Sequence, residues 1–210
     1  MKKKAWYILI PCLLLVLGAV GWLLFRKGPG QAEPPALPYG EMREGDLAFR
    51  TGSGLYATVL NLDPRKLHYS HIGILVQKDG SWHIVHAVPG ETEGPDDFER
   101  VKAEPVEAFF APERASHGLL VHTGLAEARR LCDTALRYAR DSVRFDGSFD
   151  LEDTAEVYCT ELVYRLFLAE GMDLSEGRRS YVNLPLLSGK GCLAPEDLLH
   201  FSGNECYFSY

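Results

Sequence analysis

At 210 residues the chain has room for a membrane segment and one domain with a sizeable core. Its formal net charge of −7 comes from Lys+Arg 22 and Asp+Glu 29, and five of the basic residues but none of the acidic ones precede Gly28. The remainder sets 17 basic against 29 acidic residues, a net of −12, which argues against nucleic acid or anionic headgroups as partners of the folded part.

Met1 to Lys4 supplies three lysines, and Ala5 to Phe25 then runs without a charge before Arg26 and Lys27. Such a stretch is long enough to cross a bilayer, and Pro11, Gly18 and Gly21 are tolerable within it. Ala19-Val20-Gly21 has the form of a signal-peptide cleavage site, but WLLF prolongs the apolar run beyond it, so residues 1–27 are read as an uncleaved anchor. The three leading lysines favour the tail inside and the domain in an extracytoplasmic, periplasm-like space; cleavage would make the protein secreted. Residues 28–40 open with GPGQAEPPALP, a Pro/Gly-rich tether without apolar periodicity. Residues 41–210 form the folded domain.

Gly45-Asp46 followed by Leu-Ala-Phe-Arg predicts a first strand, Thr51 to Gly54 a turn, and Leu55 to Leu60 a short helical or extended piece. The segment YSHIGILVQKDGSWHIVHAV reads as a hairpin turning at Asp79-Gly80. With those two as loop residues, Lys78 faces Ser81, Val76 faces His83 and Gly73 faces His86. Alternation then puts His71, Gly73, Leu75, Ile84, His86 and Val88 on one side, with His83 on the other. His71 and His86 become diagonal neighbours, roughly 7–8 Å apart by backbone, and Gly73 leaves room for the His71 ring to lie across it. That is the geometry of a general base and the group that fixes its tautomer.

Glu91 to Glu99 is an acidic loop, Val101 to Phe110 is strand material interrupted by Pro105, and Gly118 to His122 is another strand. From Thr123 a helix is predicted with Leu125, Ala128, Leu131, Cys132, Ala135, Tyr138 and Ala139 as its apolar stripe. The stretch EVYCTELVYRLFLAEG predicts a second helix, with Leu162, Val163, Leu166 and Phe167 at helical spacing, Gly171 closing it, and Thr154 available as a cap. Cys159 falls near its first turn, where unpaired backbone N–H groups favour a thiolate and could hold an oxyanion. A short helix starting at Pro195 and an edge strand over Glu205 to Tyr210 complete an α+β domain with a mostly antiparallel sheet flanked by helices. Cys132 belongs to a helix stripe, and Cys192 and Cys206 could pair outside the cytoplasm. His71, His86 and Cys159 lack a fourth ligand or any Cys-x-x-Cys spacing, so neither a metal nor a cofactor is expected.

The early GD-L-A-F strand, the S-H-I-G-I-L strand and the late Y-C-T-E-L-V helix together resemble the YiiX/YaeF-type proteins, circularly permuted papain-like cysteine hydrolases allied to the NlpC cell-wall peptidases. The resemblance spans about Gly45 to Phe201 and implies Cys159 as nucleophile and His71 as general base. In the third position that family commonly has a glutamate in an I-E-A-like run, where this chain has Ile-Val-His86-Ala. The relatives of lecithin:retinol acyltransferase match less well, since their N-C-E-H cysteine motif is absent. The implied activity is amidase or peptidase chemistry by Cys-His-His acyl transfer, on cell-wall peptide amides or acyl-lipid substrates of the cell envelope. The N–H of Cys159 would hold the oxyanion, with Tyr158 beside it either contributing a hydroxyl or packing. Glu161 and Asp46 are read as structural. The alternatives are a non-catalytic envelope-binding module on the same fold, or a lipid acyltransferase or thioesterase.

Overall fold

The structure, a computed structural model, describes residues 33–52, 68–91, 97–152, 155–181 and 191–210. Its contacts divide the chain into Met1–Glu33 and Pro34–Tyr210, a boundary inside the expected tether, and the description below concerns the second unit. The expected anchor over residues 1–27, the piece over Leu55 to Leu60, the Thr154 cap and most of the acidic loop lie outside the described residues. Among the described residues no helix is long and apolar enough to cross a membrane.

Pro34–Tyr210 is built on six antiparallel strands in the order β4-β3-β2-β1-β5-β8, the α+β arrangement expected. In chain order these are β1 (Leu47–Gly52), β2 (His71–Lys78), β3 (Ser81–Val88), β4 (Arg100–Pro105), β5 (Ala115–His122) and, last, β8 (Glu205–Ser209). A two-stranded sheet of β6 (Ser180–Tyr181) and β7 (Gly191–Cys192) stands apart. The helices are α1 (Val106–Phe109), α2 (Arg129–Arg140), α3 (Cys159–Ala169) and α4 (Pro195–Leu199).

The β2–β3 hairpin has the register its turn dictates. Asp79 and Gly80 sit at φ 51 and 77, as a two-residue turn matched to strand twist requires. Lys78 pairs with Ser81 and Val76 with His83. Pro105 ends β4 by removing a ladder donor and starts α1, so the interrupted strand predicted there is a strand followed by one helical turn. The helix predicted from Thr123 begins only at Arg129. Gly124 at φ 73 turns the chain out of helical geometry first, and the Thr123 hydroxyl accepts the Leu125 N–H at 3.4 Å.

The two sheet faces differ sharply. Under α2 and α3, Leu47, Phe49, Ile72, Ile74, Val76, Val85 and Ala87 meet Leu131, Ala135, Leu162, Val163, Leu166 and Phe167 in one apolar core. Each large side chain buried there stabilises the fold by about 1.5–3 kcal/mol. On the other face Ala48, Leu75, Ile84 and Leu120 pack with Phe109 and Phe110 in a smaller cluster around α1. That second face also carries the buried Arg50, His71, His86 and Lys102.

Candidate active site

Cys159 is the first residue of α3, not merely near its first turn. Tyr158, extended at φ −95 and ψ 171, is the N-cap residue, and its N–H donates to Glu161 Oε2 at 3.2 Å. Glu161 is fully buried and pairs with Arg165 at 2.5 Å, which gives it the structural role expected. Gly171, at φ 80, follows the last turn and its N–H donates to Leu168 O at 3.0 Å.

The Cys159 side chain is buried, 8% exposed. Burial pushes its thiol up, opposed by the Thr160 hydroxyl and by the backbone N–H groups of Ile72, Thr160 and Cys159 itself. The Thr160 oxygen lies 3.7 Å from Sγ. Thr160 is a contact sequence reasoning missed, since a threonine beside a helix-start cysteine has no distinctive spacing. Tyr158 packs its ring, 1% exposed, against Phe149, and its hydroxyl accepts the Leu193 N–H at 2.9 Å while keeping its own proton to donate.

The two histidines meet as the hairpin register requires. His71 Nε2 and His86 Nδ1 are 2.7 Å apart, with ring centroids at 4.9 Å and planes at 77°. Gly73 makes this possible, because a Cβ there would lie 2.4 Å from Ile84 Cγ2 and 3.1 Å from His86 Cβ. Phe109 of α1 covers both rings, at 5.7 and 5.3 Å. Burial, then the charges of Arg50 and His86, hold His71 well below the usual histidine range, so it rests as a neutral base. His86 is lowered too, chiefly by burial, with Glu104 pulling the other way.

In the sequence His86 stands at the end of this chain of groups; in the structure Glu104 lies behind it. Glu104 Oε1 lies 3.1 Å from His86 Nε2, within ion-pair distance, though neither atom completes a hydrogen bond. Glu104 also pairs with Arg114, and Arg50 Nη1 is 3.9 Å from it. Burial alone would raise its acid, but His86, Arg114 and Arg50 outweigh burial and hold it down at about 2. Arg50, 2% exposed and opposite His71 on β1, donates to Phe109 O at 2.9 Å and pairs with Glu91. No signal in the isolated sequence singles out Glu104: RVKAEP alternates and puts Arg100, Lys102 and Glu104 on one face, but the neighbour of β4 in the sheet is not written in its residues.

Cys159 and His71 are neighbours without a shared hydrogen bond. Sγ stands beside the N–H of Ile72, the residue after His71, yet among the described residues no bond joins Sγ to the His71 ring. Ile72 packs in the core under α3, whereas His71 turns to Phe109 on the other side of the strand. The hydrogen bond that a nucleophile and its general base would share is therefore not formed in the resting state. Asp46 binds the Arg43 N–H, His122 and Tyr207 at 2.8, 2.9 and 2.9 Å, a tie between β1, β5 and β8. No disulfide joins Cys192 to Cys206.

No family model and no curated protein matches the chain. Among solved structures it is similar to the crystal structure of the metalloprotein YiiX from Escherichia coli O157:H7. The TM-score is 0.62 at 19% identity, over 80% of this chain and 97% of that one. The chain has a YiiX-like fold. YiiX is described as a metalloprotein, but among the described residues the donors do not fit a metal. The facing nitrogens of His71 and His86 are turned on each other, and among the described residues no three His, Cys, Asp or Glu side chains converge.

Proposed function

We propose that the YiiX-like domain is a cysteine hydrolase in which Cys159 is the nucleophile, His71 the general base and His86 the group that orients it. The observation that carries this reading is the buried 2.7 Å pair of His71 and His86, set at the start of β2 where the sulfur of a helix-start cysteine meets the Ile72 N–H. Both reacting groups rest neutral, since burial raises the thiol and lowers the imidazole. Activation is then proton transfer from thiol to imidazole as the sulfur attacks an electrophile, rather than a standing ion pair. Catalytic contacts are commonly long before the reaction, and here the contact that must close is between the His71 ring and Sγ.

In the proposed reaction Sγ forms a bond to a carbonyl carbon as its proton passes to His71 Nδ1. The N–H groups of Cys159 and Thr160, at the open end of α3, stabilise the oxyanion. The carbon–nitrogen or carbon–oxygen bond breaks as His71 returns the proton to the leaving group. Water then attacks the thioester, restoring the thiol and releasing the acid. Residues 1–27 would anchor the domain to the membrane and hold it on the extracytoplasmic side, within reach of cell-wall peptides and acyl lipids alike.

A non-catalytic envelope-binding module is the rival, and one observation favours it: the absent bond between Sγ and His71. Incubating the full chain and its Cys159→Ala variant with peptidoglycan fragments and with acyl lipids separates the two. Product release by the wild type alone supports the hydrolase. Equal binding without product in both proteins supports the module.

A further inference from the structure

Arg50, His71, His86 and Glu104 form a row across β1, β2, β3 and β4, all on the face covered by Phe109. Arg50 stands directly opposite His71, and Glu104 stands opposite Ile84, diagonal to His86. Cross-strand and diagonal side chains on one face are within reach of each other, and here the contacts are 2.7 Å between the rings and 3.1 Å from His86 Nε2 to Glu104 Oε1. Glu104 thus stands one residue farther from the base than the carboxylate that orients a histidine directly.

We infer that Glu104 is the positioning carboxylate of this site, acting through His86 to fix the tautomers of both rings. An ionised Glu104 can only accept, so His86 must present Nε2–H to it. The His86 Nδ1 is then bare and accepts the Nε2–H of His71. His71 is left with a bare Nδ1, the nitrogen that must take the Cys159 proton. When His71 is protonated, its Nε2–H faces His86 Nδ1, and the new charge is balanced along the row by Glu104. A histidine in the third position, a weak partner for an imidazolium by itself, acquires a carboxylate at one remove.

The groups facing Glu104 set the conditions. His86 approaches from β3, Arg50 from β1, and Arg114 from the segment after α1. Glu91 shares both arginines, and Lys102 on β4 is occupied by Asp97 at 2.7 Å and the Glu91 carbonyl at 2.6 Å. The alternative is that Glu104 merely neutralises Arg50 and Arg114.

The inference rests on the cysteine-hydrolase reading and is tested on the full chain, with iodoacetamide as probe and Cys159 modification read by peptide mass spectrometry across pH. Glu104→Gln should slow alkylation at neutral pH by about a hundredfold, the low end of what a positioned base contributes. The double variant Glu104→Gln with His86→Glu, which puts a carboxylate directly on His71 while leaving the arginines without Glu104, should recover most of that loss. Glu104→Gln reacting within twofold of wild type, or a loss the double variant does not recover, overturns the inference. Because Glu104→Gln could fail to fold, nitrogen-15 NMR of the wild type gives a second test. Both histidines should carry the proton on Nε2 with bare Nδ1, and the opposite tautomer at either ring overturns the inference. A wild-type Cys159 no more reactive than Cys132 overturns the hydrolase reading itself, a result distinct from either.

Discussion

Cys132 and Cys159 lie in one apolar core, each on a helix laid against the same sheet face, yet their surroundings equip them for opposite fates. Cys132 sits inside the first turn of α2, 2% exposed, its thiol 3.8 Å from the Leu75 carbonyl oxygen. Burial, with the nearby charge of Glu44, pushes it up to about 12. Cys159 opens α3, where three backbone N–H groups and the Thr160 hydroxyl oppose burial. A buried thiol that donates to a carbonyl is held in its neutral form. One surrounded by donors at a helix start has groups that stabilise the thiolate it becomes. Position on the helix, not depth in the core, separates the two.

The largest break in this comparison comes from removing each sulfur in turn. With whichever envelope substrate is turned over, Cys159→Ala should lower kcat by about 10³-fold or more. Cys132→Ala should leave kcat unchanged and cost about 1 kcal/mol in urea unfolding. Replacing the base, His71→Asn, should lower kcat by about 10²- to 10⁴-fold while the Cys159→Ala fold controls stay native by circular dichroism. Gly73→Ala should cost about 1–3 kcal/mol by overpacking and slow turnover, because the added Cβ drives into Ile84 and toward His86.

The smallest effect concerns pH. The folded His71 and His86 bind protons less readily than their ordinary value of 6.5. Below that value the unfolded chain takes up protons the native state refuses, so stability falls with pH from about 6.5 downward, and is fully present above it. Urea midpoints measured from pH 7.5 to 5 should decline for the wild type and decline less for His71→Asn. Turnover should persist below pH 6.5 for the same reason, since His71 stays an available base there.

The hairpin was legible because Asp79-Gly80 fixes a register, and register fixes which residues share a face. His71 and His86 could therefore be brought together from spacing alone. The Cys159 helix start was legible from the Leu162, Val163, Leu166 and Phe167 stripe, whose phase locates the first turn. Glu104 was not, because it enters through the order of strands in the sheet, a long-range choice that no local pattern encodes. The absent bond between Sγ and His71 was also beyond reach. Cys159 opens a helix laid against one sheet face while His71 points to the other, and no local pattern says how far apart those two side chains stand. Gly124, at φ 73, hid the true start of α2 behind a stripe that already looked helical.

The most direct test alkylates the full chain with limiting iodoacetamide and compares Cys159 with Cys132 in the same tube between pH 5 and 9. The account predicts that Cys159 is modified at least tenfold faster at neutral pH, and that the advantage disappears in His71→Asn. Equal, slow modification of both cysteines, or an advantage that survives loss of His71, would contradict it.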